Sequence, residues 1–94
     1  MNNSELYDKA REKWSMNSQF LIMVEEMSEF SVEILHLIRG REDFKYIRLI
    51  EEYVDVKIMM EQFEEYMKLI DKDFEKDSAV IYNEKINRLI ERLK

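Results

Sequence analysis

The apolar positions of this chain recur at three- and four-residue steps along most of its length. The most regular run is Tyr46, Leu49, Tyr53, Val56, Met60, Phe63, Met67, Ile70 and Phe74, whose alternating steps trace one face of a helix. A second apolar line, Ile47, Ile50, Val54 and Ile58, follows the N-terminal half of the same segment. Upstream, Met23, Met27, Phe30, Ile34 and Leu37 form a stripe of the same kind. These patterns predict four helices. The first covers about residues 4–13 with Ser4 as its N-cap, and the second runs from a cap at Asn17 or Ser18 to about Arg39. The third runs from near Asp43 to about Asp73. The last is capped by Asp77 or Ser78 and is apolar at Val80 or Ile81, Ile86, Leu89, Ile90 and Leu93.

Gly40, the only glycine, is a natural helix stop, and the segment GRED makes the turn that follows. There is no proline, and no stretch alternates in the manner of a strand. The expected fold class is therefore all-α: an antiparallel bundle of about four helices in a single domain, residues 1–94. Two apolar faces on the third helix exceed what one antiparallel neighbour can cover, so the bundle is expected to be completed by oligomerisation.

Composition narrows the function classes. A net charge of −6 argues against a nucleic acid polymer as partner, since binding one needs a basic surface. The segment Lys85–Lys94, with four basic residues, is the local exception. The absence of cysteine removes disulfides and thiolate metal sites and suits a reducing, cytoplasmic setting. No apolar run reaches the roughly 20 residues needed to cross a bilayer, and MNNSELYDKAREKW lacks the apolar core of a signal peptide. Neither a membrane nor a leader is expected.

Negative charge is concentrated where it should be unwelcome. In VEEMSEF, residues 24–30, Glu25, Glu26 and Glu29 lie within five positions, and no lysine or arginine occurs between Lys13 and Arg39. At about 100° per residue, Glu26 falls about 60° from the centre of the apolar stripe, at the edge of the core. In IEEYVDV, residues 50–56, Glu52 and Asp55 are neighbours on one helix face, beside Leu49 and Val56. Glu29 lies about as far before the turn at Gly40 as Glu52 lies after it. In an antiparallel hairpin the two acidic groups therefore meet at similar height.

Carboxylates converging in a low-dielectric seam must either be protonated or share a cation. All the candidate ligands are oxygen, and the single histidine, His36, lies outside both groups, which suits Mg²⁺ or Mn²⁺ and not zinc. A di-iron bundle would need Glu-x-x-His pairs, which neither group has. The competing reading is that these are ordinary solvated helix faces.

The pattern Glu25-Glu26-Met27-Ser28-Glu29 followed by Glu52-Tyr53-Val54-Asp55 resembles the MazG-like all-α nucleoside triphosphate pyrophosphohydrolases. The likeness extends to Trp14 and Gln19 ahead of the first group, to EEYVDVKIMMEQ, and to the closing NEKINRLIERL, which is similar to the end of short phage-type members. It implies a homodimer or homotetramer that hydrolyses a nucleoside triphosphate to monophosphate and pyrophosphate with Mg²⁺. By position, the resemblance makes Glu26, Glu29, Glu52 and Asp55 the metal ligands and Glu25 an auxiliary catalytic carboxylate. It sets Lys85 and Arg88 on the phosphates and Trp14 and Gln19 near the base. Ser28 stands where the family often has glycine and Phe30 where it has leucine. Two other functions remain open at this point: a non-catalytic helical interaction module, and a hydrolase for a specialised nucleotide such as phosphoribosyl-ATP.

Overall fold

A computed structural model describes residues 1–94 and contains four helices and no strands: α1 (Asn3–Trp14), α2 (Met16–Arg39), α3 (Tyr46–Ile70) and α4 (Phe74–Arg92). No helix is long and apolar enough to cross a membrane. The helix count agrees with the periodicity, but several boundaries differ, each for a local reason. α1 is capped by Asn2, whose side chain accepts from the Glu5 backbone N–H at 2.8 Å, and not by Ser4. α2 starts before Asn17 because a single residue, Ser15, separates it from α1. Ser15 adopts φ 66°, ψ 157° and caps α2 by accepting from Ser18 N–H. Gly40 ends α2 in the left-handed conformation, as expected.

α3 opens at Tyr46, not at Asp43, because residues 41–44 are occupied by a turn. Phe44 N–H donates to Arg41 C=O, and Arg41 pairs with Asp43 at 3.1 Å. At the other end Asp71 accepts from Asp73 N–H through its side chain and from Phe74 N–H through its carbonyl. This local turn competes with the helix and breaks it. Phe74, the last step of the apolar run in the sequence, therefore begins α4, three residues ahead of Asp77.

α2 and α3 form the body of the molecule as an antiparallel hairpin. The rings of Phe20 and Phe63 lie 6.0 Å apart and those of Phe30 and Tyr53 6.3 Å apart, so ten residues forward on α2 match ten back on α3. α1 crosses both helices, and Tyr7 Oη donates to Glu61 Oε2 at 2.6 Å. That bond, aided by burial and the nearby acids, pushes the Tyr7 hydroxyl pKa up to about 12.

α4 is the outlier. It touches α3 alone, through Phe74 against Phe63 and Lys68 against Glu75, and none of its residues is buried. The result is an open molecule. The radius of gyration is 16.7 Å, against roughly 12–13 Å for a compact chain of this length. The accessible surface is 7661 Å², roughly 1,800 Å² more than a compact monomer of this mass exposes. Only Tyr7, Gln19, Met59 and Gln62 are buried.

Candidate metal centre

The seam between α2 and α3 is narrower and more polar than the apolar stripes suggest. On α2 the shielded positions include Gln19, Phe20, Met23, Glu26, Phe30, Glu33 and Ile34, whereas Met27 is exposed. On α3 they include Leu49, Glu52, Val56, Met59 and Phe63, while Tyr46, Met60 and Ile70 are exposed and Tyr53 is half-exposed with its ring beside Phe30. Steps of three and four pass directly through both glutamates. Glu26 and Glu52 thus lie on the seam itself and not at its edge, a correction to the sequence geometry. The reason is rotation: α2 turns toward α3 the face that carries the largest shielded side chains at the α1 end, Phe20 and Met23, and Glu26 follows on that face.

This rotation assembles a three-carboxylate cluster. One oxygen each from Glu26, Glu52 and Asp55 lies within 4.8 Å of the others. Glu26 and Glu52 are half-buried and Asp55 is exposed. Oε2 of Glu26 and Oε2 of Glu52 are both buried without a hydrogen-bond partner. No lysine or arginine pairs with Glu25, Glu26, Glu29, Glu52 or Asp55. Burial raises the pKa of Glu26, and the charges of Asp55, Glu29 and Glu52 raise it further. Burial likewise raises that of Glu52, together with the charges of Glu29, Asp55 and Glu33.

Such an arrangement is costly for the bare chain, because a buried carboxylate oxygen without a donor loses its hydration and gains nothing in return. The donor set fits a hard divalent cation. Oxygens around an octahedral Mg²⁺ lie about 2.9 Å apart when cis and about 4.2 Å when trans, so direct coordination by all three carboxylates requires the cluster to close by up to about 2 Å. Glu29 and Glu25 are exposed on the adjoining surface, and Glu29 acts on Glu26 and Glu52 both through its charge and through side-chain hydrogen bonding. Glu33 was not among the candidate ligands, yet it is half-buried and its charge acts on Glu52. The signal for it was present: Glu33 is seven residues from Glu26, nearly two full turns and hence on the same face. His36 lies apart from the cluster, 3.6 Å from Glu33 and 3.0 Å from Arg41.

The remaining candidates are scattered. Gln19 is buried on the seam, two turns from Glu26, but Trp14 is half-exposed at the end of α1 with Lys13 Nζ 5.2 Å from its ring. Lys85 and Arg88 are exposed on α4, which does not touch α2, so within one chain they do not join the carboxylates. Gln62, the last residue of the EEYVDVKIMMEQ stretch, is buried three residues after Met59, a polar interruption of an apolar line. Comparison of the chain with family models, with curated proteins and with solved structures gives no match.

Proposed function

We propose that the protein is a Mg²⁺-dependent nucleotide pyrophosphohydrolase that converts a nucleoside triphosphate to the monophosphate and pyrophosphate, and that it works as a homodimer or homotetramer. The observation that carries this reading is the pair of buried, unpartnered oxygens of Glu26 and Glu52, supplied by two helices and joined by Asp55 within 4.8 Å. Glu26, Glu52 and Asp55 would hold the metal, with Glu29 at its margin. A bound Mg²⁺ supplies charge neutralisation for phosphate oxygens and a more acidic bound water. The chain's own residues do the rest. The half-buried seam restricts water around Glu26 and Glu52, and Glu25 and Glu29 offer exposed carboxylates that can accept a proton from an attacking water.

A triphosphate also needs basic groups, and Lys85 and Arg88 serve this reading only if α4 of a second copy brings them to the seam. The open form of the chain supports such an assembly. The surplus surface of roughly 1,800 Å² is on the scale that one protomer buries in an obligate dimer. The same surplus favours a second reading, a non-catalytic interaction bundle whose acids are incidental.

The two readings separate in one assay: pyrophosphate release from the eight common NTPs and dNTPs with Mg²⁺, with EDTA, and in Glu52→Gln. Metal-dependent release that the substitution abolishes supports the hydrolase. No release from any nucleotide, together with no thermal shift on adding Mg²⁺, leaves the interaction bundle.

A further inference from the structure

Two apolar faces of the chain are left bare, and they match in length. On α4, Tyr82, Ile86, Leu89 and Leu93 share one face and are between 39% and 78% exposed. On α3, Ile47, Ile50, Val54 and Ile58 share another and are between 41% and 58% exposed. This second face lies roughly opposite the one that carries Glu52, Val56 and Met59 into the seam. Each line extends over eleven residue steps, about 16 Å of helix. α4 meets no helix but α3, to which Phe74 and Glu75 fasten its N-terminal end.

The two faces are edged by opposite charge. At about 100° per residue, Glu51 and Asp55 flank the α3 line on one side and Lys57 flanks it on the other. Lys85 and Arg92 flank the α4 line on one side, whereas its other side carries Asn83 and Asn87. No ion pair within the chain uses Glu51, Asp55, Lys85 or Arg92. Seen face-on with the N-terminus down, the acidic edge of α3 lies to the right of its line and the basic edge of α4 to the left. Faces that meet in parallel bring left against right, so Lys85 and Arg92 come against Glu51 and Asp55. An antiparallel meeting sets them against Lys57 instead. Through the turn at residues 71–73, α4 could lie along its own α3 only by folding back antiparallel. Charge therefore favours an α4 that comes from another molecule.

We propose that the outer face of α3 is the seat of α4 from a second copy of the chain, laid parallel to it, and that the contact is made twice about a two-fold axis. Aligned end to end, the two apolar lines set Lys85 beside Glu51 and Arg92 near Asp55 of the second copy. A reciprocal exchange covers both bare faces of both chains with one kind of contact. The surplus surface of roughly 1,800 Å² per chain is of the size that such an obligate dimer buries. The assignment rests on the oligomer proposed above, whose surfaces it names, and does not need the hydrolase chemistry.

The chain has no cysteine, so introduced cysteines report the contact without background. Val54→Cys and Leu89→Cys, seven residues into their respective lines, are co-expressed on chains with different tags and treated with a short bis-maleimide. A cross-linked pair is expected from the two chains together and not from either alone. A chain carrying both cysteines that links to itself without a change of mass would seat α4 on its own α3 and overturn the proposal. An oligomer in light scattering that gives no cross-link of either kind would also overturn it, and the oligomer would then stand on other surfaces. A monomeric wild type would remove the oligomer and this seat together. The charged edges give an independent arm, since Lys85, Arg92 and Glu51 are all exposed and their substitution spares the packing. Lys85→Glu with Arg92→Glu should raise the dimer Kd about fivefold or more, and adding Glu51→Lys should recover part of that loss. A Kd that the charge reversal leaves unmoved would overturn the parallel seat.

Discussion

The α2–α3 hairpin and α4 carry apolar lines of comparable quality and meet opposite fates. In the hairpin each helix finds the other: Phe20 packs against Phe63 and Tyr66, and Phe30 against Tyr53. In α4, Val80, Ile81, Ile86, Leu89, Ile90 and Leu93 stay at least partly exposed, as do Ile47, Ile50, Val54 and Ile58 on the outer face of α3. The hairpin, meanwhile, shields charge that has no partner. An amphipathic period thus states that a face will be covered. It does not state by what, nor that everything on the covered face is apolar.

The sharpest way to break this contrast is to make α4 as polar as its surroundings already are. Ile86→Glu with Leu89→Glu is expected to convert an oligomer to a monomer in light scattering and to lower stability by roughly 3 kcal/mol or more, the scale of central interface residues. If the doubly substituted chain keeps the mass and Tm of wild type, α4 has no partner and the contrast reflects a free helix.

On the hairpin side the largest effect should come from Glu52→Gln. On the proposed reading Glu52 holds the metal beside Glu29, Asp55 and Glu33, and its loss should then reduce pyrophosphate release by at least about 100-fold, the upper end of what loss of an outer-shell partner costs. The same substitution removes a buried, unpartnered charge, so the metal-free protein should be more stable than wild type. A metal-free Tm that falls instead would mean that the carboxylate is satisfied within the fold.

The pH dependence follows with its sign. Glu26 and Glu52 have raised pKa values in the folded chain, chiefly from burial. Between the ordinary glutamate value of about 4.3 and these raised values, the folded state binds more protons than the unfolded one. Their contribution to stability is therefore complete below the unfolded pKa and is lost as pH rises through the folded values. In metal-free buffer the Tm advantage of Glu52→Gln over wild type should be small near pH 4 and should grow towards pH 7, where Mg²⁺ should cancel it. An advantage that is constant with pH would remove titration as its source.

The smallest expected effect lies at the α1–α2 joint. Ser15 occupies a region of backbone space that is essentially reserved for glycine, at a cost of about 1–3 kcal/mol. Exchange of a serine cap for glycine costs only a few tenths. Ser15→Gly is therefore expected to stabilise the chain by about 1 kcal/mol in urea unfolding, and a loss of stability would show that the hydroxyl bond to Ser18 outweighs the strain.

What could be read in the linear chain follows physical range. The number of helices, the stop at Gly40 and the meeting of Glu26 with Glu52 and Asp55 rest on local propensity and on counting residues from a turn, both short-range quantities. The choice of caps was less legible. Asn2, Ser15 and Asp73 prevailed over Ser4, Asn17 or Ser18, and Asp77 or Ser78 because a cap is selected by the backbone conformation before it, which a residue type does not report.

The tertiary structure alone decided how each helix is rotated about its axis, because that depends on which side chains fit a particular neighbour. Rotation carried Glu26 and Glu52 from the margin of the stripe onto the seam, left Met60 exposed, and left the Gln62 carbonyl buried without a partner. It also left Lys85 and Arg88 on a helix that touches only α3. Periodicity and charge lie within the chain itself, whereas the facing of a helix and the solvation of each buried oxygen exist only once two helices have met.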